Sequence, residues 1–470
     1  MVKKLYIVGA VLFAFVACNK IEQPMEQPME EPIATPTEWK VSIQATKGDD
    51  LTKALSESGT TISASWETGD VVYIVSKNGN KEFGTMTAQS GGTSTTLTGT
   101  ITKTMTVGTS YILRYLQKGQ DYLYLVSQQG TLADIAKNHD MAEATVTVKS
   151  IDGNNVTFEE TIAHFESKIS ITKFTFNKTV SWVGIYSSNL MTYVRPGYSY
   201  NYSCISIEPS ANFQTAYVAM STLATKKSVF MFLAKGEDGL YYMAAKNVQL
   251  ENGKNYVTNV TLHEMPAYVD LGIVRGGLHV CWGTKNLGAS SPGQFGNYYA
   301  WAETTSKSTY SWDNYAYGSY SWVTKYNDRS DQGTVDGKLY LDPEDDAATA
   351  NLGSGWRMPS IEDFNDLLNS SNTEVMYVFA DQRWGYLFHS IIEGYTSKFF
   401  FLPRTNGYYK DDAVTNNGSN RGYYWSNNVE HTSWTSASFA NTLQFTGTSA
   451  PETSMMQRAY GLVIRPIYEK

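Results

Sequence analysis

The sequence predicts a multidomain chain built mainly from strands. β-Sandwiches fill its middle, and a C-terminal region sets one well-specified helix among strands and long aromatic-rich loops. Three observations carry this reading. Apolar and polar residues alternate at Val41, Ile43 and Ala45 and through SKISITKFTF (167–176), the period of a half-buried strand. Turn residues punctuate the apolar runs, as in VFMFLAKGEDGLYYMAA (229–245), which reads as a hairpin turning at Asp238-Gly239. GSGWRMPSIEDFNDLL (353–368) reads as a helix start: Ser360 is the N-cap, Asp363 closes a capping box, Pro359 and Phe364 form a staple, and Ile361, Phe364, Leu367 and Leu368 share one apolar face.

A length of 470 residues fits two to four domains. The formal net charge of −8 argues against nucleic acid, which requires a basic face. Only 17% of residues are charged, and Thr, Ser, Asn, Gly and Tyr are abundant, a composition suited to extracellular β-proteins. Cys18, Cys204 and Cys281 lie far apart and form neither a CxxC motif nor a disulfide framework.

At the N-terminus, Lys3 and Lys4 precede an uncharged run from Leu5 to Ala17 and then Cys18. That run is shorter than the ~20 residues of a membrane-spanning helix and has the anatomy of a secretory signal. FVAC (15–18) resembles a bacterial lipobox, which implies a signal peptide over 1–18, lipidation of Cys18 and firm membrane anchoring by several acyl chains. The segment 19–37 carries EQPMEQPMEEP, whose regular prolines block helix and sheet, so it is expected to be an extended acidic tether.

From Trp39 to Leu262 the signals are strands and turns, with DIAKN (134–138) a weak helix candidate. Strands at this spacing suggest β-sandwiches. The stretches LTKALSESGTTISASWETGDVVYIV (51–75), FGTMTAQSGGTSTTLTGTI (83–101), HFESKISITKF (164–174) and ENGKNYVTNVTL (251–262) resemble the fimbrillin family of bacterial surface lipoproteins. The resemblance implies two tandem all-β sandwiches, 38–145 and 146–263, and in some members polymerisation by donor-strand insertion, with other fimbrial subunits as partners. Members cleaved by an Arg-specific protease need an arginine before the first strand, and 19–100 contains none. His164 is expected to be a packed, hydrogen-bonded residue.

HEMPAYVDLGI (263–273) marks a change of pattern, after which aromatic residues become dense. Trp282, Trp301, Trp312, Trp322, Trp356, Trp384, Trp425 and Trp434 are eight of the chain's 11 tryptophans. Loops such as TTSKSTYSWDNYAYGSYSW (304–322), rich in Tyr and Trp, are expected to be ordered by burial of their rings. YVDLGI (268–273), CWGTKNLGASSPGQFGNYYAWAET (281–304), GWRMPSIEDFNDLL (355–368), GYYWSNN (422–428) and GLVIRP (461–466) resemble the major paralogous, or FISUMP, type of domain, related to the Lcl C-terminal domain. The resemblance implies an α+β, C-type-lectin-like fold over 268–470. In it the helix covers a small sheet, Trp425 lies on an inner strand, GLVIRPI closes the sheet, and Trp356 and Arg357 are structural. The acidic run Glu344, Asp345 and Asp346 is the expected partner of the Arg357 guanidinium. With Asp342 the same run also offers oxygens of the kind calcium takes.

No cofactor is called for. A formylglycine-generating type of enzyme would need paired cysteines late in the domain, and only Cys281, near its start, is present. No Ser-His-Asp order or ligand-spaced histidines support other catalysis. The loop NGYYKDDAVTNNGSNRG (406–422) combines rings that stack on sugar faces with groups that pair with hydroxyls. Its candidate ligand-binding residues are Tyr408, Tyr409, Asp411, Asp412, Asn416, Asn417 and Asn420. The expectation is a non-catalytic surface lipoprotein of the outer membrane, an adhesin or binding module for a glycan or a host or surface protein, or a fimbrial tip-like subunit, with a polymerising fimbrial subunit as the alternative.

Overall fold

The computed structural model describes residues 38–470 except 48–55, 59–60, 64, 79–81, 117–122, 196–197, 201, 410–411, 414–420 and 430–435. Cys18, the expected signal segment over 1–18 and the expected tether over 19–37 lie outside the described residues, as does Trp434.

The first lobe contains β1 (Trp39–Lys47), β2 (Val71–Ser76), β3 (Glu82–Ala88), β4 (Ser94–Ile101), β5 (Ser110–Leu116), α1 (Leu132–Asn138), β6 (Met141–Asp152), β7 (Asn155–Phe158) and β8 (Ile162–Ser167). The strand β1 alternates as its sequence predicts, with Trp39, Val41, Ile43 and Ala45 buried and Lys40, Ser42 and Gln44 exposed. The ladders run β1–β8–β6–β5–β2–β3–β4 and return to β1, which pairs with β4 from Trp39↔Ile101 to Thr46↔Ser94. This is a closed seven-strand barrel and not the first of two sandwiches. Alternation is the same in either architecture, and closure depends on β1 pairing along both edges, which no local pattern encodes. Trp66 lies at the core, with Tyr115 and Phe165 edge-on to it.

The second lobe contains β9 (Ser170–Tyr186), β10 (Cys204–Ile207), β11 (Phe213–Met220), β12 (Lys227–Gly236), β13 (Tyr241–Gln249) and β14 (Asn255–Val260). The long strand β9 organises it: residues 170–176 pair with β11 and β14, residues 180–186 with β10 and β12, and the register shifts between the halves. Asp238-Gly239 turns the β12–β13 hairpin, with Gly239 at φ +80°. The expected boundary at 145/146 falls inside β6, and barrel strands continue to Ser167. The chain also crosses early, since Ser127–Gln128 pairs with β10.

The C-terminal region is not the expected α+β, C-type-lectin-like domain; strands dominate it. Its elements are β15 (Tyr268–Arg275), β16 (Leu278–Gly283), α2 (Ala347–Leu352), β17 (Trp356–Arg357), α3 (Ile361–Leu368), β18 (Thr373–Ala380), β19 (Arg383–Ser390), β20 (Phe399–Pro403), β21 (Tyr408–Tyr409), β22 (Asp412–Ala413), β23 (Arg421–Trp425), β24 (Phe439–Thr446), β25 (Glu452–Gln457) and β26 (Ile467–Glu469). They form small ladders, β15–β16–β26–β17, β18–β19–β20, β21–β22 and β23–β24–β25. The helix signature is real but local. Ser360 caps α3, the Asp363 carboxylate accepts from the Ser360 N–H at 2.8 Å, and Phe364 and Leu367 are buried, yet α3 has only eight residues. A strong start signal fixes where a helix begins and says nothing about how much of the domain is helical.

The β18–β19–β20 sheet is buried on both faces. Val375, Tyr377, Tyr386, Phe388, Phe400 and Leu402 face the C-terminal core, where α3 also packs. Met376, Val378, Ala380, Leu387, Phe399 and Phe401 face Trp182, Tyr186, Cys204, Met231 and Leu233 of the second lobe. The Phe379 N–H points to the Cys204 sulfur at 3.4 Å across this contact. Cys204 and Cys281 are both buried free thiols.

Candidate functional site

The C-terminal loops are held by their aromatic side chains. Trp301 and Trp425 are fully buried and each donates its indole N–H to a carbonyl of a distant segment, Trp301 to Ser426 and Trp425 to Tyr299, both at 2.8 Å. The Tyr315 hydroxyl donates to the Trp301 carbonyl at 3.0 Å. Arg458, also buried, lies 4.6 Å over the Trp301 ring and donates to the carbonyls of Lys325 and Tyr326. A large ring with a polar handle both excludes water and satisfies a backbone group, which is what irregular buried chain requires. Burial without a neighbouring carboxylate pushes the guanidinium of Arg465 down to about 10, and it is held by Asn286 and the Gly283 carbonyl.

The expected partners of Arg357 are corrected. Its guanidinium pairs with Asp363 at 2.6 Å and Glu469 at 2.7 Å, not with Glu344, Asp345 or Asp346. The acidic run has other work: Asp345 accepts from Lys325, Tyr317 and Tyr326, and Asp346 caps α2 and accepts from the Met358 N–H. Among the described residues no group of His, Cys, Asp and Glu gathers to hold a metal. Trp356 packs against Tyr268 and Tyr468, and Trp425 ends β23 with its backbone N–H bonded to the Val463 carbonyl. GLVIRPI contributes bridges at Gly461, Leu462 and Val463 and a short final strand from Ile467. His164 is exposed on β8 and shares a hydrogen bond with Thr46 at 2.9 Å, so it is bonded without being packed.

The predicted ligand loop is only partly described. Tyr408 is half-buried, sets its ring edge-on to Tyr298 at 4.5 Å and bridges Gly461, so it pins the loop. Tyr409 and Asp412 pair their backbones in the β21–β22 hairpin. Asp411, Asn416, Asn417 and Asn420 lie outside the described residues.

A second aromatic group stands out on the neighbouring loop 304–322, which the sequence marked as aromatic without assigning it a ligand. Tyr320 and Trp322 are each 52% exposed at the tip of a tight turn. The Ser319 N–H donates to the Trp322 carbonyl at 2.8 Å, and Gly318 bridges Val323. Gly318 is at φ +108°, and a Cβ there would meet the Trp322 carbonyl oxygen at 2.2 Å, so the turn requires glycine. Val323, 1% exposed, anchors the turn and exchanges backbone hydrogen bonds with Gln332 and Thr334. Trp312 supports it from below, with Tyr320 edge-on at 5.9 Å and its own indole N–H on Gln457 at 2.9 Å. The one signal that marks these rings in sequence is their setting in YGSYSW, a Gly/Ser turn that leaves rings with no periodic strand in which to hide.

No family model matches the chain, and no curated protein matches it. Solved structures similar to it include a candidate cell adhesion protein from Bacteroides ovatus, 12% identical, covering 48% of this chain and 95% of that one at a TM-score of 0.28. A candidate cell adhesion protein from Bacteroides uniformis is 16% identical and covers 48% of this chain and 97% of its own at a TM-score of 0.28. A tip fimbrial protein from Porphyromonas gingivalis, with C-terminal truncation, is 8% identical and covers 46% of this chain and 83% of its own at a TM-score of 0.26.

Proposed function

We propose that this chain is a lipid-anchored outer-membrane protein, exposed at the cell surface, that captures a glycan or protein ligand through its C-terminal loops without catalysis. Cys18 is the anchor and 19–37 the tether. The observation that carries the reading is the internal bonding of the C-terminal loops. Irregular backbone pinned by buried Trp, Tyr and Arg holds surface groups in one arrangement, as a binding face needs and a spacer does not.

Two measurements on the producing cell test it. Radiolabelled fatty acid should enter the wild-type protein and not Cys18→Ser, which should leave the membrane fraction. Protease added to intact cells should remove the C-terminal region; its protection there would contradict surface display. A polymerising subunit would instead give a ladder of SDS-resistant multimers.

A further inference from the structure

We infer that the turn Gly318–Val323 is a carbohydrate-binding site, with Trp322 and Tyr320 as the stacking rings and a chain of neutral hexopyranoses as its ligand. This rests on the reading of the chain as a capture protein and names the ligand class and the residues.

Three features select a sugar over other occupants. The first is area. Two half-exposed rings offer about 200 Å2, against about 800 Å2 on each side of a stable protein interface. Their neighbours Ser319 and Ser321 are exposed polar residues, so the patch does not extend into a larger apolar face. A pyranose with equatorial hydroxyls presents a flat face of axial C–H bonds. Those carry slight positive charge and lie well on the negative face of an aromatic ring.

The second is rigidity. Stacking loses free energy if the ring must first be ordered. Here Val323 is buried, Gly318 closes the turn, and Trp312 holds one edge of Tyr320. The third is the polar surround. The parallel bridge Val323↔Gly333 brings the segment that carries Asp331 to the base of the turn, and the Asp331 side chain is 67% exposed. A carboxylate and serine hydroxyls pair with sugar hydroxyls. Asp313 is an exposed carboxylate, and the charges of Arg329 and Asp331 offset each other at 3.3 Å, so the surround favours a neutral ligand over an acidic one. Both rings are half exposed at the turn, which suits internal units of a chain.

Native gels containing soluble β-glucan, galactomannan or polygalacturonate test this on the full chain. The wild type should be retarded in at least one neutral gel and not by polygalacturonate. Trp322→Ala and Tyr320→Ala should each lose at least ten-fold in affinity, Trp322→Phe should keep part of it, and Val257→Ala, exposed on β14, should bind as wild type. Thermal unfolding of each variant guards against misfolding; unchanged midpoints with lost retardation support the site. Retardation that survives both alanine variants overturns the site and leaves the capture function standing. Retardation by polygalacturonate alone, or by none of the three, overturns the ligand class.

Discussion

At the scale of single residues, side-chain roles were legible where a rule is local and illegible where the partner is distant. Ser360 and Asp363 cap α3 as their spacing dictates. Arg357 was recognised as needing carboxylates, but those it uses are six residues away and at the far C-terminus, while the acidic run 344–346, 11 to 13 residues away, serves Lys325 and α2. A double-mutant cycle between Arg357→Met and Asp363→Asn should show coupling of about 1–3 kcal/mol, whereas pairing Arg357→Met with Glu344→Gln should be additive within about 0.5 kcal/mol. Asp381 had no sequence signal at all. It sits with Gln382 at the β18–β19 turn, both at positive φ (45° and 64°), and accepts from the Tyr241 hydroxyl at 2.7 Å, the Ser291 hydroxyl at 2.6 Å and the Gly293 N–H at 2.8 Å. Asp381→Ala should lower stability by about 2–4 kcal/mol, because three donors lose their acceptor. Gln382→Gly should raise it by about 1 kcal/mol by relieving left-handed backbone; chemical denaturation measures both. Glu374 gives a pH signature. Its hydrogen bond with His389 holds the carboxyl below its usual range. A depressed folded value stabilises above the unfolded pKa of about 4.3, and that gain is lost as pH falls through the folded value. The side chain is 39% exposed, so solvent screening limits the effect to about 0.5 kcal/mol. Melting midpoints of wild type and Glu374→Gln should therefore separate near neutral pH and converge as the pH falls through the folded value of the carboxyl.

At the scale of elements, strand existence and facing were legible from alternation, as in β1, in the 170–176 half of β9 and in the β12–β13 hairpin. Closure of the first lobe was not, because a barrel and a sandwich require the same in–out pattern. β1 shows what closure means physically. It is paired antiparallel to β4 along one edge and parallel to β7 and β8 along the other. Deleting Trp39–Lys47 leaves two unpaired edges and removes Trp39, Val41, Ile43 and Ala45 from the core. The deletion should abolish cooperative unfolding of the barrel and leave a chain that binds a hydrophobic dye; a native melting curve would refute the closed ladder. The eight-residue α3 teaches the complementary lesson: its start was legible in the sequence, but the α+β class that the FISUMP resemblance implies is not supported by the strand ladders that flank it.

At the scale of the whole molecule, the lobes share cores in a way that short-range patterns do not reveal. The run KFFFLP (398–403) was the available clue, since consecutive apolar residues in a strand indicate burial on both faces. Phe399 and Phe401 cover the second lobe, and Phe400 and Leu402 cover the C-terminal core. Residues 264–470 expressed alone should therefore expose one face of β18–β20 and self-associate in light scattering, whereas 38–470 stays monodisperse. Phe401→Ala in the full chain should cost about 3–5 kcal/mol. The face proposed to present a ligand depends on the Trp301 and Trp425 hydrogen bonds that pin the C-terminal loops. Amide hydrogen exchange on 38–470 tests that dependence most directly. The N–H groups of Trp301, Val323, Thr334 and Leu462, each bonded across a loop to a distant carbonyl, should exchange as slowly as those of the β18–β19 ladder. Exchange of these four at the rate of free chain, while the ladders stay protected, would contradict it.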